Sequence, residues 1–384
     1  MASWLPMYAF PSLRVTRPVE IAHLALAYAD DARVKALAES HPNFKGLLNQ
    51  FTTEFGAQIE PSILMWNTDG PETYRNTEAL SAFRDALALS VIPQYQAKIL
   101  ARESQFKMRF SNWFNIYPWM LDKNYEYVVM RSAAIFGLHE PKLLKGQTYP
   151  GLNQEIIDPA AIDQTLHKEL MVRFKRRFTA EKPEWSDVAL FRSLNTANAA
   201  AQLPSHGDFT PYDSGRSISL WVSAFEILAH PEEGQSGLLQ VYDLLEKADW
   251  HSVACREARH PCMAPVHARR PRVLGCAIYS RMNTARNDYL HGNKISDVQL
   301  VIMPSKRFLV DYAPVLYRMA LAAFLDLRFK EAEPREPAAQ QLWAGRKFDF
   351  YKYQTYAEAA LSTFDRTVEQ QRELMGIRGK LALF

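Results

Sequence analysis

Within the stretch Pro271 to Gly292, read PRVLGCAIYSRMNTARNDYLHG, an arginine, an amide and an imidazole gather in one short run: Arg286, Asn287 and His291. These three residue types suit the breaking of a ribose-phosphate link without metal. Such a reaction needs a base to take the proton of a 2′-hydroxyl and an acid to protonate the departing 5′-oxygen. It also needs a cation facing the charge that builds at phosphorus. Histidine serves the proton transfers because its ordinary pKa lies near neutrality. Arginine serves the phosphate with a permanently charged, planar fork of donors. An asparagine one helical turn from the histidine can orient either group.

The spacing around these residues predicts one helix, opened after Pro271 and closed at Gly292. Leu274, Ile278, Met282, Ala285 and Tyr289 recur at intervals of four, four, three and four, which makes one apolar stripe for a core. At about 100° per residue, Asn287 and His291 lie opposite that stripe and Arg286 lies on its flank. Cationic groups in a last turn also complement the macrodipole of a plain solvated helix end, so the spacing alone leaves both readings open. The string itself is more particular. Arg286 to Gly292 reads R-N-x-x-x-H-G, which resembles the signature of the HEPN superfamily, R-x(4–6)-H with a polar residue after the arginine, in its Apea-like form. The upstream segment Ser214 to His230, SGRSISLWVSAFEILAH, shares the resemblance, which covers roughly residues 185 to 330.

The resemblance implies a C-terminal helical bundle and an endoribonuclease that works without metal or other cofactor. It implies RNA as the substrate and a homodimer in which two motifs face one cleft. On that basis His291 is the proton-transfer group, Arg286 the phosphate-binding cation and Asn287 the orienting amide. Relatives with an additional N-terminal domain often resemble toxins or antiviral defence effectors. The alternative is a non-catalytic HEPN module that binds RNA, a nucleotide or a partner protein. An ion pair from Glu226 would orient Arg286, although an ordinary exposed glutamate is the plainer expectation. Ser280 and Asn283 are further candidates for lining the cleft.

Other clusters of charged and metal-binding residue types stand elsewhere in the chain. Arg256, Arg259, His260, His267, Arg269, Arg270 and Arg272 crowd the loop before the motif helix, opposed in that loop by Glu257 alone. They suit an anionic ligand or a solvated loop equally. Lys168, Arg173, Lys175, Arg176 and Arg177 read as a charged helix face. Cys255, His260, Cys262 and His267 follow C-x4-H-x-C-x4-H, which matches no standard zinc spacing, so no metal site is expected. Phosphate-loop, dinucleotide, nucleophile-elbow and H-E-x-x-H motifs are absent from the sequence.

Composition bounds the rest. The 384 residues, 48% hydrophobic and 23% charged, suit two globular domains. A net charge of +3 does not by itself imply nucleic acid. Three cysteines form no closed disulfide framework, which fits a reducing cytoplasm. No apolar run approaches the length of a membrane span, and the N-terminus is a poor signal peptide; a cytoplasmic protein without membrane attachment is expected.

The expected fold is mainly α. Residues 1–150 form an N-terminal α+β domain with a small aromatic-rich sheet or hairpin, 151–335 a HEPN-like helical bundle, and 336–384 a C-terminal helix packing on it. Residues 1 to 16 read as irregular, Pro18 to Ser40 as helical with Asn43 to Phe55 continuing it, and Thr77 to Arg102 as a long helix kinked at Pro93. The aromatic run from Phe110 to Trp119 and the residues Tyr125 to Val129 flank a turn at Asp122-Lys123-Asn124, as in a hairpin. Lys145 to Pro159 reads as a linker. Helices are expected over Ala160 to Thr179, Pro183 to Ala201, Ser214 to His230, Gly237 to Lys247, Pro271 to Leu290, Asp311 to Phe329 and Phe350 to Met375, the last after a loop at Glu331 to Pro337.

Overall fold

The computed structural model describes residues 3–53, 55–101, 110, 113–130, 148–149, 154–203, 210–295, 297–367 and 370. The chain is mainly helical, with small and mostly antiparallel sheets. It divides into two compact units. The first takes in Met1–Arg84, Phe110–Ile162 and Arg173–Lys182; the second takes in Asp85–Arg109, Asp163–Val172 and Pro183–Phe384.

The first elements are β1 (Trp4–Phe10), β2 (Leu13–Val15), β3 (Val19–Ile21), β4 (Leu24–Ala27), α1 (Ala32–Ser40), α2 (Pro42–Leu48), β5 (Thr52–Thr53), β6 (Ser62–Asn67) and α3 (Thr77–Ala101). Four of these strands form an antiparallel sheet in the order β1-β6-β4-β3. Two expectations are overturned here. Residues 4–10 form a strand where irregular chain was expected, and Pro18 to Ser40 is a hairpin that becomes helical only at Ala32.

Burial explains both. Ala9, Ala25, Ala27, Ile63 and Met65 enter one core cluster with Val34, Phe44 and Leu47, while the alternate residues Leu24, Leu26, Leu64 and Trp66 are equally buried. A strand covered on both faces loses the apolar-polar alternation that reveals it, so Leu-Ala-Leu-Ala mimics a helical run. The β3–β4 turn adds no signal, because it places Ala22 rather than glycine or asparagine at positive φ (40°). Likewise, the chain after α2 returns to a strand at Thr52–Thr53 instead of continuing as helix.

The expected hairpin is present as β7 (Trp119–Leu121) and β8 (Val128–Met130), with Leu121 opposite Val128. Asp122 closes its turn, Oδ1 accepting from the N–H groups of Glu126 and Tyr127. Phe110, Trp113, Phe114, Tyr117 and Tyr125 are buried, so these rings serve a core. β9 (Thr148–Tyr149) and β10 (Glu155–Ile157) pair in parallel with β5 and β2. Residues 111 and 112 of the aromatic run, and much of the Lys145 to Pro159 linker, lie outside the described residues.

The expected helices follow as α4 (Gln164–Thr179), α5 (Trp185–Gln202), α6 (Pro211–Leu228), α7 (Leu238–Glu246) and α9 (Leu274–Leu290), with a short α8 (Val253–Arg256) in the stretch expected as loop. After α10 (Asp297–Leu300), β11 (Val301–Ile302) and β12 (Arg307–Phe308) come α11 (Ala313–Phe324) and α12 (Pro337–Leu361). α11 stops short of Phe329, and α12 starts at Pro337 rather than Phe350. Proline at a first helical turn loses no hydrogen bond, so Pro337 opens the helix instead of ending the loop. Residues 371–375 of the expected helix lie outside the described residues.

Every residue of α11 from Ala313 to Ala322 is buried, Arg318 included. Its Nε and Nη2 donate to Asp163 Oδ2 at 3.0 and 2.9 Å, and the other carboxylate oxygen accepts the Leu166 N–H at the start of α4. One acid thus neutralises a buried cation and caps a helix; removing either partner of such a pair costs about 3–5 kcal/mol.

One turn into α4, His167 is buried, and its Nε2 has no hydrogen-bond partner among the described residues. Burial holds its pKa down to about 4, against a smaller upward pull from Asp163. The folded state therefore requires the neutral imidazole. This stability is fully present above the ordinary value of 6.5 and is lost as the pH falls towards about 4, a loss of about 3 kcal/mol. Urea midpoints of the wild type should fall across that window, and those of His167→Gln should fall less; parallel curves for the two proteins would count against the assignment.

Candidate functional site

The motif helix α9 carries the expected stripe: Leu274, Ile278, Met282 and Ala285 are buried. Tyr289 is half-buried, resting against α6 at Gly215, where a Cβ would stand only 2.5 Å from its ring. Farther along the same pair of helices, Phe225 and Tyr279 pack ring to ring at 5.2 Å. α6 and α9 are therefore antiparallel neighbours. On α6, Gly215, Ser219, Ser223 and Glu226 are spaced four, four and three apart, so one helix face is small until it ends in a carboxylate.

That carboxylate meets the motif. Glu226 Oε2 lies 3.6 Å from Arg286 Nη2, with side chains 20% and 27% exposed respectively. The plainer expectation of an ordinary exposed glutamate is thus replaced by the ion pair. Arg286 Nη1 donates to Asn287 Oδ1 at 3.0 Å, and Asn287 Nδ2 donates to Asn283 Oδ1 at 3.2 Å. Arg286 Nε has no acceptor among the described residues. The guanidinium is held in place, and its Nε is shut off from solvent as well as unpaired. Burial raises the pKa of Glu226 above the usual carboxylate value, with Arg286 pulling the other way.

The helix then ends in a way that exposes His291. Gly292 takes φ +72°, its N–H donating to Tyr289 O, and the Asn293 N–H donates to Asp288 O. This paired closure is the Schellman arrangement, which favours glycine at the left-handed position. The Asp288 side chain secures the following loop, accepting from Asn293 Nδ2 at 3.0 Å and Gln299 Nε2 at 2.7 Å. His291 is exposed, and its imidazole makes no hydrogen bond or ion pair with any described residue. The structure thus brings Arg286 and Asn287 together and leaves His291 apart. Five helical positions separate Arg286 from His291, about 140° around the axis.

The basic loop is more neutralised than its local sequence suggested. Arg272 is buried against Glu246 (3.0 Å) and over the Tyr242 ring, and Arg270 reaches the same carboxylate at 2.6 Å. Arg256 pairs with Glu257, and His260 stands 3.5 Å from Asp365. Glu257 is therefore not the sole opposing charge; Glu246 and Asp365 arrive from elsewhere in the chain. Arg259, His267 and Arg269 are exposed and pair with no carboxylate among the described residues. On α4, Leu166, Leu170, Phe174 and Phe178 are buried and Arg177 pairs with Glu78, as in a charged outer face.

Cys255 is fully buried, its thiol pushed up to about 12 by burial; Cys262 is raised to about 11, also by burial. Among the described residues no three His, Cys, Asp or Glu side chains are grouped as a metal site requires. No helix among the described residues is long and apolar enough to cross a membrane. Sequence reasoning passed over Arg281, Thr284 and Gln299, which line an open cleft beside α9 together with Ser280; for Arg281 and Thr284 their positions on the wet side of the helix were the available signal. No protein-family model, no curated protein and no solved structure matches the chain.

Two substitutions probe this geometry. Gly292→Ala forces a side chain into the left-handed region and should cost about 1 kcal/mol, read as a lower urea midpoint; an unchanged midpoint would contradict the cap. For Glu226 the folded pKa is raised, so its contribution to stability is fullest below the ordinary carboxylate pKa and declines as pH rises through the raised value. Glu226→Gln should therefore gain stability relative to wild type between acid and neutral pH. A difference that does not vary with pH would overturn the cause given for the shift.

Proposed function

We propose that this chain is a HEPN-type endoribonuclease that cuts RNA without metal and acts as a homodimer. The observation that supports this reading is the end of α9, where an exposed imidazole follows a guanidinium that is clamped by Glu226 and Asn287 and stays partly exposed. A solvated helix tip needs no such clamp.

The chemistry is direct. One His291 takes the 2′-hydroxyl proton, and the 2′-oxygen attacks phosphorus. The bond from phosphorus to the 5′-oxygen breaks, and the equivalent imidazole of a second copy protonates that oxygen. The products are a 2′,3′-cyclic phosphate and a 5′-hydroxyl end. Arg286 carries the phosphate charge and Asn287 fixes its fork. Because Arg286 and His291 diverge around one helix, a twofold pair supplies in two copies what one copy lacks. The contact with Glu226 favours a second reading, in which an already neutralised arginine serves a non-catalytic module that binds RNA, a nucleotide or a partner protein.

The test uses purified full-length protein, labelled single-stranded RNA and excess EDTA. Cleavage should persist, yield cyclic-phosphate ends, and fall by roughly 100-fold or more in His291→Ala and Arg286→Ala. RNA that is bound and left intact supports the second reading. A protein that sediments strictly as a monomer while cleaving would overturn the paired site.

A further inference from the structure

Beside the motif helix lies an open cleft of about 400 Å3, bounded by Cys262, Met263, Ser280, Arg281, Thr284 and Gln299. Its walls are tied down. Ser280 is buried, and its Oγ accepts the Met263 N–H at 2.9 Å, which fastens the preceding loop to α9. Gln299 Nε2 donates to Asp288 Oδ2 at 2.7 Å, which fastens the following segment to the same helix.

The lining has the character of a nucleotide site. Arg281 is exposed, spends one donor on the Val298 carbonyl at 3.3 Å, and pairs with no carboxylate among the described residues. A guanidinium in that state suits a phosphate. Thr284 donates its hydroxyl hydrogen to Ser280 O at 3.0 Å and so retains acceptor capacity. Met263, 64% exposed, supplies an apolar wall for the face of a base. The volume falls in the range of small-ligand sites.

The cleft also shares a helix side with the candidate proton-transfer group. Thr284 precedes His291 by seven positions, which is two turns along the helix, about 10 Å. Asp288, which holds one wall of the cleft, lies between them. Arg286, by contrast, turns towards α6.

We propose that this cleft binds one nucleotide of the substrate strand, flanking the link to be cut, with its phosphate on Arg281 and its base against Met263. The proposal rests on the RNA reading above and adds where the strand runs. It makes Arg281 and Thr284 binding residues that take no part in proton transfer.

The test compares binding and turnover in the full-length protein. Thr284→Trp fills the cleft from an exposed helical position, and Arg281→Glu reverses its charge; circular dichroism checks that both fold. Lys35→Glu, on exposed α1, controls for net charge. In a His291→Ala background, fluorescence anisotropy with a mixed-sequence single-stranded RNA should show both cleft variants binding roughly tenfold more weakly and the control unchanged. With His291 present, the same two variants should raise KM by a similar factor and leave kcat within about twofold, unlike Arg286→Ala. Wild-type cleavage with unaltered KM in both variants overturns the cleft and leaves the nuclease reading intact. Wild-type protein that neither binds nor cleaves RNA overturns both.

Discussion

The close approach of α6 to α9 governs the candidate site. Gly215 leaves the space that the Tyr289 ring occupies, and any Cβ there would meet that ring at 2.5 Å. With the last turn of α9 seated in this way, Glu226 can reach Arg286 from the far end of the same helix face. A larger residue along the Gly215–Ser219–Ser223 row would push the helices apart and lengthen that contact. Aromatic packing continues the seam inwards, from Phe225 and Tyr279 to the buried Tyr317 of α11. The geometry at the exposed tip is thus inherited from a core that has little freedom to adjust.

Two arginines show how the same side chain is put to different uses. Arg318 is deeply buried and gives two donors to Asp163, an acid that also caps α4. A charge placed so deep is tolerable only with its partner present. Arg286 is partly exposed, its contact with Glu226 is longer, and its Nε is unpaired among the described residues. The first arrangement is complete as it stands. The second is held by a looser contact and stays partly open to solvent.

The end of α9 separates two tasks that share six residues. Arg286 and Asn287 are immobilised by side-chain contacts, whereas His291 is exposed because Gly292 turns the chain away immediately after it. Asp288 belongs to neither group; it holds the loop and the Gln299 wall of the neighbouring cleft. Adjacent positions on one helix turn thus point to different neighbours.

Much of the helical half was legible from residue order alone. An amphipathic helix with one wet side writes its period into the sequence, so the stripe of α9, its start after proline and its stop at Gly292 could be read directly. The two-sided burial of β4 and β6 erased the corresponding signal for strands, and Leu24 to Ala27 passed for helix. Charge partners were the other blind spot. Glu226, Glu246 and Asp365 are remote in sequence from the arginines and histidine they meet, and no local pattern encodes a contact made by packing. The sequence by itself determined which chemical groups stand at the end of α9 and that they escape the core, because helical periodicity is a local property. Only the tertiary structure decided which of those groups is paired, which is exposed and what cleft lies beside them, because those outcomes depend on how separate helices come to rest against one another.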